Sequence, residues 1–165
     1  MTPSSKIELT CQAFADAGLG LTPEWTDLEV EGSVESPRLI IGDQGFQVRS
    51  YAEASDKASA IARDNREDRL WVNPETASAA GISDGDVVEV SSATGSVHAV
   101  ARAAERIHPA SVYIPPHYGC ELDGMKYAKG LGGSARTLIP RAAEPATGAA
   151  MNHEVIASAK KASEQ

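Results

Sequence analysis

Short apolar runs alternate with turn signals through the middle of this chain. The runs Leu39–Ile41, Leu70–Val72 and Val87–Val90 are rich in β-branched residues and Leu, a pattern that is typical of buried strands. Residues 96–102 alternate polar and apolar side chains, as a half-buried return strand does. Another apolar segment starts at Val112 and ends in a Pro-Pro pair. The pattern therefore predicts several short strands that are separated by turns.

A short helix is predicted between the second and third strands. Asn73 can cap this helix, and Pro74 suits its first position because the missing N–H costs nothing there. Gly81 tolerates the left-handed conformation that ends a helix, and residues 84–86 have the composition of a turn. The capping role is sufficient to explain Asn73, so we assign it to structure and not to ligand contact.

The remaining segments are less regular. Residues 51–68 are rich in Ala and charged side chains, and their composition fits either a helix or a surface loop. The other assignments, in chain order, are an extended arm over 1–36 that is polar and turn-rich over 19–36, a loop over 120–133, a brief strand or turn over 136–139, a turn over 144–148, a final strand over 154–158 and a solvated tail over 160–165.

Composition excludes several classes of function. The chain has 165 residues and a formal net charge of −8, which suggests one domain without a nucleic-acid footprint. Cys11 and Cys120 are the two cysteines, and they fit a reducing compartment or inert packing better than a disulfide framework. No run of 18 apolar residues indicates membrane insertion, and residues 1–6 lack the order of a signal peptide.

Local motifs for catalysis or metal binding are missing from the sequence. The four histidines have no metal-ligand spacing, and neither a Gly-x-Gly-x-x-Gly motif nor a P-loop is found. No nucleophile and base are placed by a recognisable motif. We therefore predict no catalytic residue and no metal ligand in this chain.

The order of motifs resembles the C-terminal dinucleotide-binding domain of the molybdopterin oxidoreductases, the dimethyl sulfoxide reductase superfamily. Residues 73–77 read Asn-Pro-Glu-x-Ala, residues 81–86 read Gly-Ile-x-x-Gly-Asp, and residues 88–90 read Val-x-Val. The lead-in is similar too, with Lys-x-Glu-Leu at 6–9 and Gly-Leu-x-x-x-Pro-x-Trp at 18–25.

This resemblance extends over residues 6–160 and implies a fold. The expected fold is mainly β with short helices, a double-psi β-barrel of the aspartate-decarboxylase-like type. The barrel is expected over residues 37–160, after an extended arm over 1–36 and before a tail over 161–165. The arm of such a domain normally crosses from a preceding domain.

The resemblance also implies a cofactor-binding loop after the first strand. Gly42 lets backbone approach a ligand, and Gln47, Arg49 and Ser50 supply polar groups suited to phosphate or pterin. Arg49 is the nearest substitute for the histidine that the family usually has here. An ordinary solvated loop is the alternative interpretation.

Two further loops are implied to contact the cofactor. His117 and Tyr118 can stack on or hydrogen-bond a flat heterocycle; an exposed histidine and a ring at the edge of the core are the structural alternatives. Arg136 and Thr137 follow a glycine pair, and Arg136 stands where the family has an asparagine that contacts the pterin. Arg136 has a second possible role, pairing with the cofactor's diphosphate.

The function that the resemblance implies is binding of molybdopterin guanine dinucleotide, with Mo or W carried by a partner chain. The iron–sulfur cysteine cluster and the metal ligand of the family are missing, so the chain alone is expected to be inert. We predict a small subunit, or a separately encoded C-terminal domain, that joins a larger catalytic subunit together with an iron–sulfur protein.

Other functions are compatible with the sequence. An excised domain of a longer enzyme would look the same, and a non-enzymatic double-psi barrel for protein interaction is the alternative from a different class. A pyruvoyl-dependent decarboxylase is disfavoured because no Gly-Ser pair has a convincing self-cleavage context. We expect a cytoplasmic protein, or one exported with its partner, that inserts into no membrane.

Overall fold

Two compact units make up the chain in the computed structural model. The described residues are 2, 4–22, 24–25, 30–42, 56–144 and 147–163, with the backbone alone described for 56–59. The first unit comprises residues 1–29 and 141–151, and the second comprises residues 30–140 and 152–165.

The first unit contains one short helix and two local pairings. Helix α1 spans Gln12–Asp16 and has no buried residue. Cys11 N donates to the carbonyl of Leu21 at 2.9 Å. Gly148 N donates to the carbonyl of Glu144 at 2.9 Å, which joins the two ends of the turn predicted over residues 144–148; residues 145–146 lie outside the described part of the chain.

The second unit is mainly β with short helices, as predicted. Its strands are β1 Arg38–Ile41, β2 Leu70–Val72, β3 Val87–Ser91, β4 Ser96–Ala103, β5 Ser111–Ile114 and β6 Ser158–Lys161, in the spatial order β1-β5-β2-β4-β3-β6. Its helices are α2 Asp56–Asp64, α3 Pro74–Ala79 and a 3-10 turn over Ala135–Leu138. Within the described residues, no helix has the length and apolar character that crossing a membrane requires.

Parallel and antiparallel pairs are mixed in this sheet. The pairs β1–β5 and β2–β4 are parallel, whereas β2–β5, β3–β4 and β3–β6 are antiparallel. The inward-facing side chains form one core, in which the fully buried large residues include Leu39, Leu70, Val72, Val88, Val90, Val112, Ile114 and Leu138. In β2 and β3 every second residue is buried, which explains why these apolar runs were recognisable as strands.

The segment before and within β6 links the two edges of the sheet. Leu39 N donates to the carbonyl of Val155 at 2.8 Å, and Ala157 N donates to the carbonyl of Pro37 at 2.9 Å. Directly afterwards, β6 pairs with β3. The same stretch of chain therefore covers the free edges of both β1 and β3, which would otherwise offer unpaired backbone groups.

The last strand differs from its prediction. The sequence suggested a strand over 154–158 and a tail from Lys160, but β6 includes both Lys160 and Lys161. Its buried position is Ala159, while Lys160 and Lys161 are exposed. A small buried residue followed by two exposed lysines gives a weak hydrophobic signal, which is why the pattern ended too early.

Three predictions from the sequence concern the helices and the 3-10 turn. Asn73 caps α3, because its Oδ1 accepts from Glu75 N at 2.9 Å and its Nδ2 donates to the carbonyl of Ile107 at 2.8 Å. Its structural role is thus confirmed. The stretch that fitted either helix or loop forms α2 over Asp56–Asp64, whereas residues 51–55 lie outside the described part of the chain. The brief strand or turn expected near Arg136 is a 3-10 turn.

Candidate functional site

Two candidate loops leave the sheet side by side. Because β1 and β5 are parallel, with Ile41 paired to Ile114, Gly42 and residues 115–119 follow at the same edge of the sheet. The phenol of Tyr113 in β5 donates to the carbonyl of Gly42 at 2.5 Å. The structure therefore brings Gly42, the first residue after β1, close to the end of β5.

The residues before β2 reach the same edge. β2 runs antiparallel to β5, with Trp71 opposite Tyr113, so that the start of β2 lies beside the end of β5. Asp68 and Arg69 precede this start. We name the region formed by Gly42, Asp68, residues 116–119 and Gly132 the strand-end site.

The turn after β5 has an unusual backbone. His117 has φ +67° and Gly119 has φ +89°, and a left-handed conformation costs roughly 1–2 kcal/mol for a residue with a side chain. Gly119 N donates to the carbonyl of Leu131 at 2.9 Å. A Cβ on Gly119 would lie 2.5 Å from Ser134 N. The turn and the segment 131–134 are therefore packed backbone against backbone.

Glycines also line the opposite side of the strand-end site. A Cβ on Gly132 would lie 2.8 Å from Tyr118 Cβ and 3.1 Å from the carbonyl oxygen of Asp68. A Cβ on Gly133 would lie 2.9 Å from the carbonyl oxygen of His98. Only glycine lets the chain pass this closely, so the glycine pair of the sequence closes the site along one side.

Arg136 and Thr137 lie farther along the same segment, at the turn between β3 and β4. Thr94 Oγ1 donates to the carbonyl of Thr137 at 3.0 Å, and a Cβ on Gly95 would lie 2.8 Å from Thr137 Cγ2. Arg136 and Thr137 are both exposed. Gln47, Arg49 and Ser50, also predicted to bind cofactor, lie outside the described residues.

Burial raises the pKa of two side chains in the strand-end site. Burial raises the pKa of the Tyr118 phenol to about 12, with a smaller contribution from the charge of Asp68. Tyr118 is therefore a neutral hydrogen-bond donor at physiological pH. Burial likewise raises the pKa of the Asp68 carboxyl, and the charge of Arg69 opposes this shift. Arg69 Nε lies 3.4 Å from Asp68 Oδ1.

Sequence reasoning missed Asp68, Arg69, Trp71 and Tyr113. A charged pair directly before an apolar strand was visible, and so was a tryptophan between the apolar residues of β2. Neither signal shows that the start of β2 meets the end of β5. That proximity depends on strand pairing between distant parts of the chain.

Stability should depend on pH through Asp68. Its folded pKa lies above the ordinary value of 3.8, so the folded state binds more protons than the unfolded state between those two values. The free energy of unfolding contributed by this group therefore falls as pH rises through that window. We therefore expect the free energy of unfolding of Asp68→Asn, relative to that of the parent, to increase as pH rises above 3.8. Urea unfolding over a pH series measures this difference.

Asp86→Asn provides the control of opposite sign. A backbone hydrogen bond from Ser83 and the Lys161 ammonium lower the pKa of Asp86, so its contribution is present above the ordinary value and lost as pH falls. This variant should lose stability relative to the parent as pH rises. If Asp68→Asn follows the same trend as Asp86→Asn, then the burial of Asp68 does not control its titration.

Metal binding has no support within the described part of the chain. No three His, Cys, Asp or Glu side chains there are grouped so that they could hold a metal ion. The strand-end site instead offers backbone, a phenol and an imidazole, which are groups that bind flat heterocycles and polar ligand edges.

Comparisons with known proteins agree with the motif order. The profile of a family described as "Molydopterin dinucleotide binding domain" matches residues 38–156. Acetylene hydratase from Pelobacter acetylenicus is similar in structure, with a TM-score of 0.74 and 18% identity, over 98% of this chain and 24% of that one. The chain thus spans about a quarter of that protein's length. The rationally designed protein apDPBB_sym_79 has a TM-score of 0.38 and 15% identity over 78% of this chain and 97% of its own. No curated protein matches the sequence.

Proposed function

Because the chain belongs to the molydopterin dinucleotide binding domain family, we propose that it binds molybdopterin guanine dinucleotide at the strand-end site. It acts as a small subunit, or a separately encoded C-terminal domain, of a molybdenum or tungsten oxidoreductase. A larger catalytic chain, associated with an iron–sulfur protein, holds the dinucleotide and its metal. The chain is cytoplasmic, or it is exported together with that partner.

The proposal includes a double-psi β-barrel as the fold. The mixture of parallel and antiparallel pairs supports it. The hydrogen bonds that join residues 155–157 to residues 37–39 support it as well, since they bring the two edges of the sheet to one segment.

One observation carries the proposed site. Gly42, the turn containing Gly119, and Gly132 converge at one edge of the sheet, although they are far apart in sequence. Among the described residues, no heavy atom lies within 4 Å of a Cβ built on Gly42. Backbone without side chains lets a flat ligand approach strand ends closely.

The residues at this edge fit a pterin dinucleotide. His117 is half-buried, and the neutral phenol of Tyr118 is a donor that suits ring nitrogen and oxygen acceptors. When bound, the cofactor supplies the metal-centred redox chemistry. The role of this chain is then to bind one side of the dinucleotide, orient it and exclude water.

Replacement of His117 tests this role. We expect His117→Ala to reduce retention of the dinucleotide in the assembled complex about tenfold, as the loss of one hydrogen bond or stacking contact of about 1.4 kcal/mol requires. His117→Gly should lose retention equally but be about 1 kcal/mol more stable than His117→Ala, because glycine accepts φ +67° without strain. Metal and pterin content per complex, together with thermal unfolding, measure the two effects.

His153→Ala serves as the matched control, because this histidine is exposed and lies outside the strand-end site. It should keep the metal and pterin content of the parent. Full retention in both His117 variants would remove His117 from the site. Purification from the native host without a larger chain, molybdenum or tungsten would overturn the proposed function itself.

A further inference from the structure

One edge of β6 is open in the described part of the chain. β6 is the last strand in the spatial order of the sheet, and among the described residues it pairs with β3 alone. Ala162 N donates to the carbonyl of Val87 at 2.9 Å, and in an antiparallel pair the hydrogen-bonded residues alternate along each strand. Lys160 therefore bonds towards β3, whereas the N–H and C=O groups of Ala159 and Lys161 point away from it.

A turn in the chain before β1 explains this open edge. Ala157 N donates to the carbonyl of Pro37 at 2.9 Å in an antiparallel register, so that a longer ladder would place Glu35 opposite Ala159. The chain instead turns over residues 33–36, where the N–H of the first residue donates to the carbonyl of the last at 3.0 Å. As a result, no described residue forms a hydrogen bond with the outward backbone groups of Ala159.

A small apolar groove lies beside the open edge. Its volume is about 210 Å³, and its lining residues include Val34, Pro37, Ala79, Ala80 and Ala159. We name this space the β6 groove. Ala159 belongs to the core cluster against which Ala80 packs, and residues directly opposite each other in a sheet direct their side chains to the same face. An extended segment opposite Ala159 would therefore direct one side chain into the β6 groove.

The charged residues around the β6 groove limit what can occupy it. Lys160 lines one side and Glu35 the other, so the groove offers no charge of a single sign to a small ion. A second copy that paired through the same edge would bring Lys160 and Lys161 of both copies together, and like charges opposite each other destabilise a sheet. Lysines at a sheet edge oppose such self-association. A strand with acidic side chains beside these lysines fits instead.

We propose that the β6 groove binds an extended segment of another protein, in which acidic and aliphatic residues alternate, as an additional antiparallel strand. Its backbone pairs with the outward groups of Ala159 and Lys161, and one aliphatic side chain enters the groove and provides selectivity. Its acidic side chains lie on the other face, beside Lys160. This interaction goes beyond the proposed function and does not rest on it, because the β6 groove shares no residue with the strand-end site.

Three labelled hexapeptides, in which Glu alternates with Val, Leu or Ala, test the proposal. Fluorescence anisotropy with the full chain should show saturable binding of at least one of them. Methylation of the backbone nitrogens of its aliphatic residues removes the N–H groups that pair with the edge of β6, and should weaken binding about tenfold or more. Replacing Glu by Lys should weaken binding as well, because lysines then lie beside Lys160.

Ala79→Leu tests whether the peptide lies in the β6 groove. Ala79 is an exposed residue of α3 that lines the groove, and a leucine there occupies the space for the aliphatic side chain. Binding should weaken about tenfold or more, as the loss of a buried aliphatic contact requires. Ser78→Leu is the matched control, because Ser78 is exposed on the same helix and does not line the groove. This variant should bind as the parent does.

Lys161→Pro tests the backbone contact separately. Proline removes an outward N–H but no hydrogen bond to β3, a change that an edge strand tolerates, and it should weaken binding about tenfold. Lys161→Ala loses the same ion pair with Asp86 but keeps the N–H, so this variant should retain binding. Thermal unfolding verifies that all variants are folded.

Four results would overturn the β6 groove as a binding site. They are no saturable binding of any of the three peptides, equal binding of the N-methylated peptide, equal weakening by the Ala79 and Ser78 substitutions, and equal binding by the two Lys161 variants. The proposed function is tested separately, by the metal and pterin content of the native complex. A chain that binds the peptide but purifies without pterin keeps the β6 groove and loses the proposed function.

Discussion

A chain that ends at Ile156 is expected to lose its cooperative unfolding transition. The truncation removes β6, which forms four residue pairs with β3, among them Val90 with Ala159. Val88 and Val90, each 0% exposed, then lie on an edge strand that pairs only with β4. Each lost hydrogen bond contributes about 0.5–1.5 kcal/mol, and the sum is comparable with a total stability of about 5–15 kcal/mol.

Urea unfolding followed by circular dichroism measures this effect. A chain that ends at Ser163 is the control, because it keeps β6 and the hydrogen bond from Ala162 N to the carbonyl of Val87 at 2.9 Å. It should unfold like the full chain. An unchanged urea midpoint after truncation at Ile156 would show that β6 is not required for the sheet.

Gly119→Ala should destabilise the protein by about 2–6 kcal/mol, since backbone strain and overpacking each contribute about 1–3 kcal/mol. At φ +89° a side chain is strained. The new Cβ would also lie 2.5 Å from Ser134 N, a backbone atom that can move only with its segment. Because that segment carries Gly132 beside Tyr118, the substitution should also reduce dinucleotide retention in the complex.

Gly124→Ala is the matched control for this substitution. No heavy atom of the described residues lies within 4 Å of a Cβ built there, and the residue has no positive φ. Its stability should stay within about 0.5 kcal/mol of the parent. Equal unfolding free energies for the two variants would contradict the close backbone packing at Gly119.

The sequence predicted the central strands well because their burial is periodic. The inward side chains of β2 and β3, such as Leu70 and Val88, are fully buried, and turn residues bound both strands. Local patterns were insufficient where small residues are buried, as at Ala159 in β6. They were also insufficient for α2, whose Ala-rich composition fits a helix and a loop equally.

The candidate site was predictable in part. The order of motifs placed Gly42, His117 and Tyr118 at strand ends, and the structure brings these residues to one edge of the sheet. Gly42 and Tyr113 are hydrogen-bonded although they are 71 positions apart in the sequence, and no local pattern encodes such a contact. The burial of the Trp71 indole N–H is likewise visible only in three dimensions.

The fold of this chain is shared with a protein of low sequence identity. Acetylene hydratase shares 18% identity with this chain at a TM-score of 0.74. Such a likeness shows the fold, whereas the family match over residues 38–156 shows that the chain belongs to that family. Ligand binding must therefore be tested in this chain itself.

The position of β6 has a consequence for synthesis of the protein. Residues 37–39 and β3 obtain their last backbone partners from residues 155–161. During translation these partners emerge after nearly all of the sheet, so two strand edges stay uncovered on the nascent chain. Such edges favour aggregation, and we expect the second unit to complete its folding only after residue 161 has left the ribosome.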